Sequence, residues 1–194
     1  VFVGSSSIVG WKTHKYFPEL GVINRGFGGS QIFQVNHFAR QTVLKYEPRL
    51  IVFYCGDNDI ASGKSPQTVL ADYKKFIGIV RDELGSVPVI FMSIKPSISR
   101  WSLWGKMQKA NAMVKEFTEC RPALHYFDTS APLLGDDGKP DAGLFLGDGL
   151  HLREAGYEVL TRRTGDSCIE VIQDNKPALV ILPPVLVLAA LGFH

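Results

Sequence analysis

The chain has 194 residues, 45% of them hydrophobic and 21% charged, with a formal net charge of +2 at pH 7. That length is enough to bury one substantial core and short for two. Its Lys, Arg, Asp and Glu residues are interspersed and form no basic block, which speaks against a nucleic-acid or anionic-membrane partner and in favour of a small, uncharged or weakly charged substrate.

The chain opens on a strand pattern, Val1-Phe2-Val3, that runs directly into Gly4-Ser5-Ser6-Ser7. There is no room in it for a basic n-region, an apolar h-region and a cleavage site. Any targeting segment would lie upstream, so the compartment is left open, the cytoplasm being slightly favoured. Ser6 falls at a strand-to-helix turn, which exposes a hydroxyl and turns backbone N–H groups toward a developing anion. Taken alone, Ser5, Ser6 and Ser7 read more readily as helix caps.

A second apolar run, Val22-Ile23, precedes Gly26-Phe27-Gly28-Gly29. Glycine permits close backbone approach, so the Gly29 N–H can face a substrate oxygen where a Cβ would obstruct it. An ordinary tight loop is the alternative. A helix is predicted over Ile32 to Lys45, then a strand over Leu50 to Tyr54. Directly after that strand comes Gly56-Asp57-Asn58-Asp59, where the Asn58 amide offers a neutral second donor or, more plainly, an Asx turn.

The clearest helix signal runs from Ser65 to Leu84. Ser65 is an N-cap candidate, Pro66 occupies the first helical position, and Val69, Tyr73, Phe76, Val80 and Leu84 keep three- and four-residue spacing. Gly85 is the expected stop. Val89 to Met92 reads as a strand, followed by a stretch beginning Lys95-Pro96 and containing Arg100-Trp101-Ser102-Leu103-Trp104. Those tryptophans suit an aromatic wall over a site or simple packing. Leu103, Met107, Ala110, Val114 and Phe117 form a stripe on a further helix that packs on the sheet. His125 to Phe127 reads as the last strand, Gly135 to Pro140 as an exposed turn cluster, and Glu154 to about Arg162 as the last helix.

Between the turn cluster and that helix lies Asp148-Gly149-Leu150-His151. Three residues of separation on a turn allow the carboxylate to meet one ring nitrogen of His151 and leave the other free to take a proton from Ser6. Both could also be loop polar residues. Of the five histidines only His151 has an Asp three residues before it; His14, His37 and His125 sit in segments readable as helix face or strand, and His194 is the last residue.

Strands alternating with helices imply βαβ units: an α/β fold, one three-layer α/β/α domain with a mainly parallel central sheet. In such a sheet ligands bind beyond the carboxyl ends of the strands. The first three motifs follow three successive strands and should meet on one edge. Together the four motifs supply a nucleophile, two oxyanion donors and a base with its orienting carboxylate, the parts that serine-dependent acyl transfer requires.

The motifs also carry a family resemblance. "FVGSSSI", "NRGFGGSQI", "GDND" and "DGLH" resemble, in order, the four blocks of the SGNH, or GDSL-like, hydrolases of bacterial type, over Phe2 to about Tyr157. The resemblance implies a flavodoxin-like SGNH-hydrolase fold and a serine esterase, with Ser6, Asp148 and His151 as the triad and the Ser6 and Gly29 N–H groups with the Asn58 amide as the oxyanion hole. It implies no cofactor and no metal. Two positions depart from the pattern: Ser5 stands where Asp is usual, and Asp57 where Thr is frequent. No long apolar lid is evident, which favours short acyl groups, such as acetyl esters of small alcohols or sugars. A noncatalytic flavodoxin-like binding module and an inactive hydrolase relative are the alternatives, although GFGG lacks dinucleotide or Walker spacing.

Cys55, Cys120 and Cys168 are widely spaced and odd in number, which predicts free, buried thiols and no metal site. The hydrolase domain is expected over residues 1–165 and an atypical extension over 166–194. Pro177 to His194 is almost wholly apolar, but Pro183-Pro184 leaves only the ten residues Val185 to His194 beyond it. A membrane span needs about 20. The tail is read as a packing or partner segment that docks on its own domain or on a second copy of the chain, the homodimer being favoured of the two.

Overall fold

The structure is a computed structural model that describes residues 1–174. Pro177 to His194, and with it the expected homodimer contact, lies outside the described residues. The central sheet has five parallel strands: β1 (Phe2–Gly4), β2 (Asn24–Gly26), β3 (Ile51–Tyr54), β4 (Val89–Met92) and β5 (Leu124–Phe127), in the order β2-β1-β3-β4-β5. This is the flavodoxin-like order, in which the winding reverses between β1 and β3 and leaves a crevice at that switch point.

Helices cover both faces, so the inner strands are buried on both sides and read as continuous apolar runs. Alternate residues feed two cores. Val3, Phe53 and Phe91 face one side, against α3 (Ile32–His37), α6 (Pro66–Leu84) and α7 (Trp104–Glu119). Phe2, Val52, Ile90 and Met92 face the other, against α1 (Ser6–Val9) and α8 (Glu154–Asp174). The chain also forms the short helices α2 (Thr13–Tyr16), α4 (Ala39–Thr42) and α5 (Asp57–Ala61). Among the described residues no helix is long and apolar enough to cross a membrane.

Helix α6 begins as its sequence predicts, with Ser65 Oγ accepting the Thr68 N–H at 3.1 Å and Pro66 at the first helical position. Other elements differ from expectation for identifiable reasons. Strand β2 is not Val22-Ile23 but the polar Asn24–Gly26, because the Asn24 amide donates to the Ile8 and Trp11 carbonyls at 2.7 and 2.9 Å and holds this edge strand in place. The helix expected over Ile32 to Lys45 is broken at Phe38 and Val43 into α3, α4 and a 3-10 turn at Leu44–Tyr46. Val43 is fully buried there, and Thr42 Oγ1 bonds back to the Phe38 carbonyl. Helix α8 continues past Arg162, through residue 165, to Asp174. Its buried face is Leu160, Thr164, Cys168 and Val171, which keeps helical spacing with residues that do not all read as apolar. Cys55 and Cys168 are buried thiols, but Cys120 is exposed at the end of α7.

Candidate active site

The carboxyl ends of β1 and β3 bring the first and third motifs together at the switch point. Gly4 ends β1 with φ +140°, and a Cβ there would sit 1.7 Å from the Tyr54 carbonyl oxygen of the adjacent strand. Only glycine permits that approach. The Ser5 N–H then donates to the same carbonyl at 3.0 Å, and the chain turns into α1 with Ser6 as its first residue. As the first helical residue, Ser6 has a backbone N–H without an intrahelical acceptor. Tyr157 of α8 donates to the Ser7 carbonyl at 3.0 Å and pins the turn from the opposite side.

The Asp148–His151 loop reaches Ser6 from the far end of the chain. His151 Nε2 lies 2.9 Å from Ser6 Oγ, and His151 Nδ1 lies 2.6 Å from Asp148 Oδ2. Asp148 Oδ1 accepts the backbone N–H groups of Leu150 and His151 at 2.9 and 3.0 Å. These bonds, the one from the His151 ring foremost, hold the Asp148 carboxyl well below the usual carboxylate range. An anionic Asp148 fixes the proton of a neutral His151 on Nδ1 and leaves Nε2 as an acceptor facing the hydroxyl. The arrangement can therefore take a proton from Ser6.

Asn58 sits in the first turn of α5. Its Nδ2 donates to the Ser30 carbonyl at 3.0 Å, and Cys55 Sγ donates to the same carbonyl at 3.2 Å. Those two bonds draw the Gly29 loop against β3. Gly29 is exposed, with φ +71°, and open space surrounds the position a Cβ would take. The amide of Asn58 carries two hydrogens, so one remains for a substrate oxygen. Asp59, fully buried, accepts the Ile32 N–H at 3.2 Å and Lys64 Nζ at 2.9 Å, tying the start of α3 to α5.

Segment 94–100, after β4, joins these two halves, and its part is not visible in the sequence motifs. The Ile94 N–H and carbonyl are both clamped by the Asn111 amide of α7 at 2.8 and 2.9 Å. Lys95, buried among the core residues, donates to the Leu150 carbonyl at 2.6 Å, and burial pulls its ammonium down to about 8. The Ser99 N–H donates to the Gly149 carbonyl at 3.0 Å. Arg100 Nη2 donates to Asn58 Oδ1 at 3.0 Å, and Nη1 lies 3.1 Å from Asp57 Oδ2. One short stretch thus braces both the His151 loop and the Asn58 amide. Of the two readings of the tryptophans, packing is the one seen: Trp104 belongs to the core, and Trp101 stacks on it at 6.1 Å, half-buried.

The assembled site is open at the surface. Ser6, Asn58 and His151 are half-buried, and Gly29 and Asp148 are exposed. A cavity of about 250 Å³ lined by residues including Val1, Phe2, Leu50, Val52 and Cys168 lies at the opposite, amino-terminal edge of the sheet, away from this chemistry.

Residues 5–159 match the GDSL-like Lipase/Acylhydrolase family. The chain belongs to that family. As a member of the GDSL-like acylhydrolases it is a carboxylic ester hydrolase. Its fold is shared with a Bacteroides fragilis protein named as an acylhydrolase, at 22% identity and TM-score 0.78, covering 88% of this chain and 86% of that one. A GDSL-like lipase from Bacteroides thetaiotaomicron superposes at 20% identity and TM-score 0.76, covering 87% and 86%. An acetyl-xylooligosaccharide esterase from Geobacillus is similar at 18% identity and TM-score 0.66, covering 88% and 92%. Among curated proteins, none matches the sequence.

Proposed function

We propose that this GDSL-like hydrolase cleaves short acyl esters, acetyl esters of small alcohols or sugars above all, by a Ser6-His151-Asp148 acyl-enzyme mechanism. The observation that carries the reading is the continuous chain of contacts from Asp148 Oδ2 through the His151 ring to Ser6 Oγ, at 2.6 and 2.9 Å. His151 Nε2 removes the Ser6 proton as Oγ attacks the ester carbonyl carbon. The carbonyl oxygen becomes an oxyanion that the Ser6 and Gly29 N–H groups and the Asn58 amide receive. His151 then gives its proton to the leaving alcohol as the C–O bond breaks. Water, deprotonated by His151, attacks the acyl-enzyme and releases the carboxylic acid and free Ser6.

Support for a short acyl group comes from the openness of the site, where half-buried and exposed groups offer little apolar enclosure for a long chain. Two structures of the same fold, an acetyl esterase and the acetyl-xylooligosaccharide esterase, act on acetyl groups by their names. The test is hydrolysis of p-nitrophenyl acetate, butyrate and octanoate and of acetylated xylo-oligosaccharides, beside labelling with a serine-directed organophosphorus probe. The expected result is kcat/KM falling with chain length and label on Ser6. Label on another serine, or a preference for octanoate, overturns the reading.

A further inference from the structure

An oxyanion-hole amide is useful in only one of its two orientations. With Nδ2 toward the substrate it donates to the oxyanion; flipped by a half turn it presents Oδ1 and repels it. The Ser30 carbonyl at 3.0 Å favours the useful orientation of Asn58 from one side, since it accepts from Nδ2. On the other side stands a guanidinium: Arg100 Nη2 donates to Asn58 Oδ1 at 3.0 Å. Arginine is a donor only, so it rejects a flipped amide outright. We infer that Arg100 is a positioning residue that, braced by Asp57, holds the Asn58 amide with its N–H toward the substrate oxygen and polarises that N–H.

The brace follows from burial. The Arg100 side chain is 19% exposed and that of Asp57 only 5%, so neither charge is well solvated, and Nη1 stands 3.1 Å from Asp57 Oδ2. Asp57 Oδ1 also accepts the Asn58 backbone N–H at 2.9 Å, which fixes the carboxylate within the same turn. One of the two positions at which the chain departs from the family resemblance, Asp57, is thus the counter-ion of the arginine. Behind Arg100, the Asn111 clamp on Ile94 and the Ser99 bond to Gly149 keep its backbone in place. A bond from a cation to an amide oxygen draws electron density from the amide nitrogen, so the remaining N–H becomes a stronger donor when charge develops on the substrate. The same guanidinium reaches Asn58 without occupying the amide hydrogen that catalysis uses.

This inference rests on the reading of Asn58 as an oxyanion donor, and a double-mutant cycle separates the two. Arg100→Ala, Asn58→Ala and the double variant are compared with the parent on p-nitrophenyl acetate, with thermal unfolding of each. Arg100→Ala is expected to lower kcat roughly tenfold with little change in KM, and to have almost no further effect in the Asn58→Ala background. Arg100→Lys, which keeps a cationic donor, should recover part of the loss. Because Arg100→Ala leaves Asp57 buried without its partner, Asp57→Asn/Arg100→Ala is made as well; it should regain stability but not kcat. Equal losses from Arg100→Ala in both Asn58 backgrounds overturn the Arg100 proposal alone, as does a change confined to KM or full recovery of kcat in Asp57→Asn/Arg100→Ala. An Asn58→Ala enzyme with parental kcat overturns both readings.

Discussion

His151 Nε2 and Ser6 Oγ, 145 residues apart in the chain, stand 2.9 Å apart in the fold. Helix α8 makes this possible: it returns along the face that carries α1, where Trp11 Nε1 donates to Thr161 Oγ1 at 3.0 Å and Tyr157 to the Ser7 carbonyl. The Ser6 turn and the element that follows the Asp148–His151 loop are therefore packed as one body.

If Ser6 and His151 act as a single unit, removing either removes the same step. Ser6→Ala and His151→Ala should each reduce kcat by roughly 10⁴-fold or more, and the double variant should be little worse than either. Both side chains are half-buried and at the surface, so thermal unfolding should be nearly that of the parent. Multiplicative losses in the double variant would mean that the two residues do not share a step.

The carboxylate of Asp148 should remain charged across the working pH range. Its folded pKa is depressed by the His151 ring and two backbone N–H groups. The contribution of these bonds is therefore complete above the ordinary Asp value of about 4 and is lost only as pH falls through the lower folded value. The acid limb of kcat/KM should accordingly carry no proton from Asp148. Asp148→Asn should lower kcat by about 10³ to 10⁴, because the replacement amide no longer selects the Nδ1–H form of His151. A two-proton acid limb would place the Asp148 ionisation within the working range.

Much of this site was legible in the sequence because its parts are local. Ser6, Asn58 and His151 each sit on a short turn that the sequence marks by residue type and spacing, and the Asp148–His151 contact closes within four residues. The strands β3 and β4 were legible because burial on both faces demands unbroken apolar runs. What stayed hidden depends on tertiary partners. Asn24 builds β2 by reaching carbonyls of another element, and the face of α8 continues through Thr164, which no apolar count marks as core. No local pattern marks Arg100 or Lys95; only the fold places them against Asn58 and Leu150.

Asn58→Ala should lower kcat by about 10² to 10³ while KM changes less, since the amide binds most strongly once the carbonyl oxygen carries charge. A raised KM at parental kcat would instead make Asn58 a ground-state contact. Steady-state kinetics on p-nitrophenyl acetate distinguish the two.

Lys95 offers a test in which stability and activity move in opposite directions. It is 2% exposed, its ammonium donates to the Leu150 carbonyl, and burial lowers its pKa from 10.5 to about 8. The unfolded chain therefore binds the proton more tightly than the folded protein. Below pH 8 the charged lysine carries a cost on the order of 3 kcal/mol from that difference. The cost fades as pH rises from 8 to 10.5, where the folded state alone has released the proton. Lys95→Met should thus be more stable than the parent at pH 7, by roughly 1 to 3 kcal/mol after the lost hydrogen bond is allowed for. That advantage should shrink toward pH 10.5 in urea unfolding of the two proteins side by side. Activity should fall in the same variant, because the Leu150 carbonyl loses the donor that holds the loop between Asp148 and His151. A Lys95→Met protein that is less stable at pH 7, with a gap independent of pH, would show that the charged lysine supports the fold instead of burdening it.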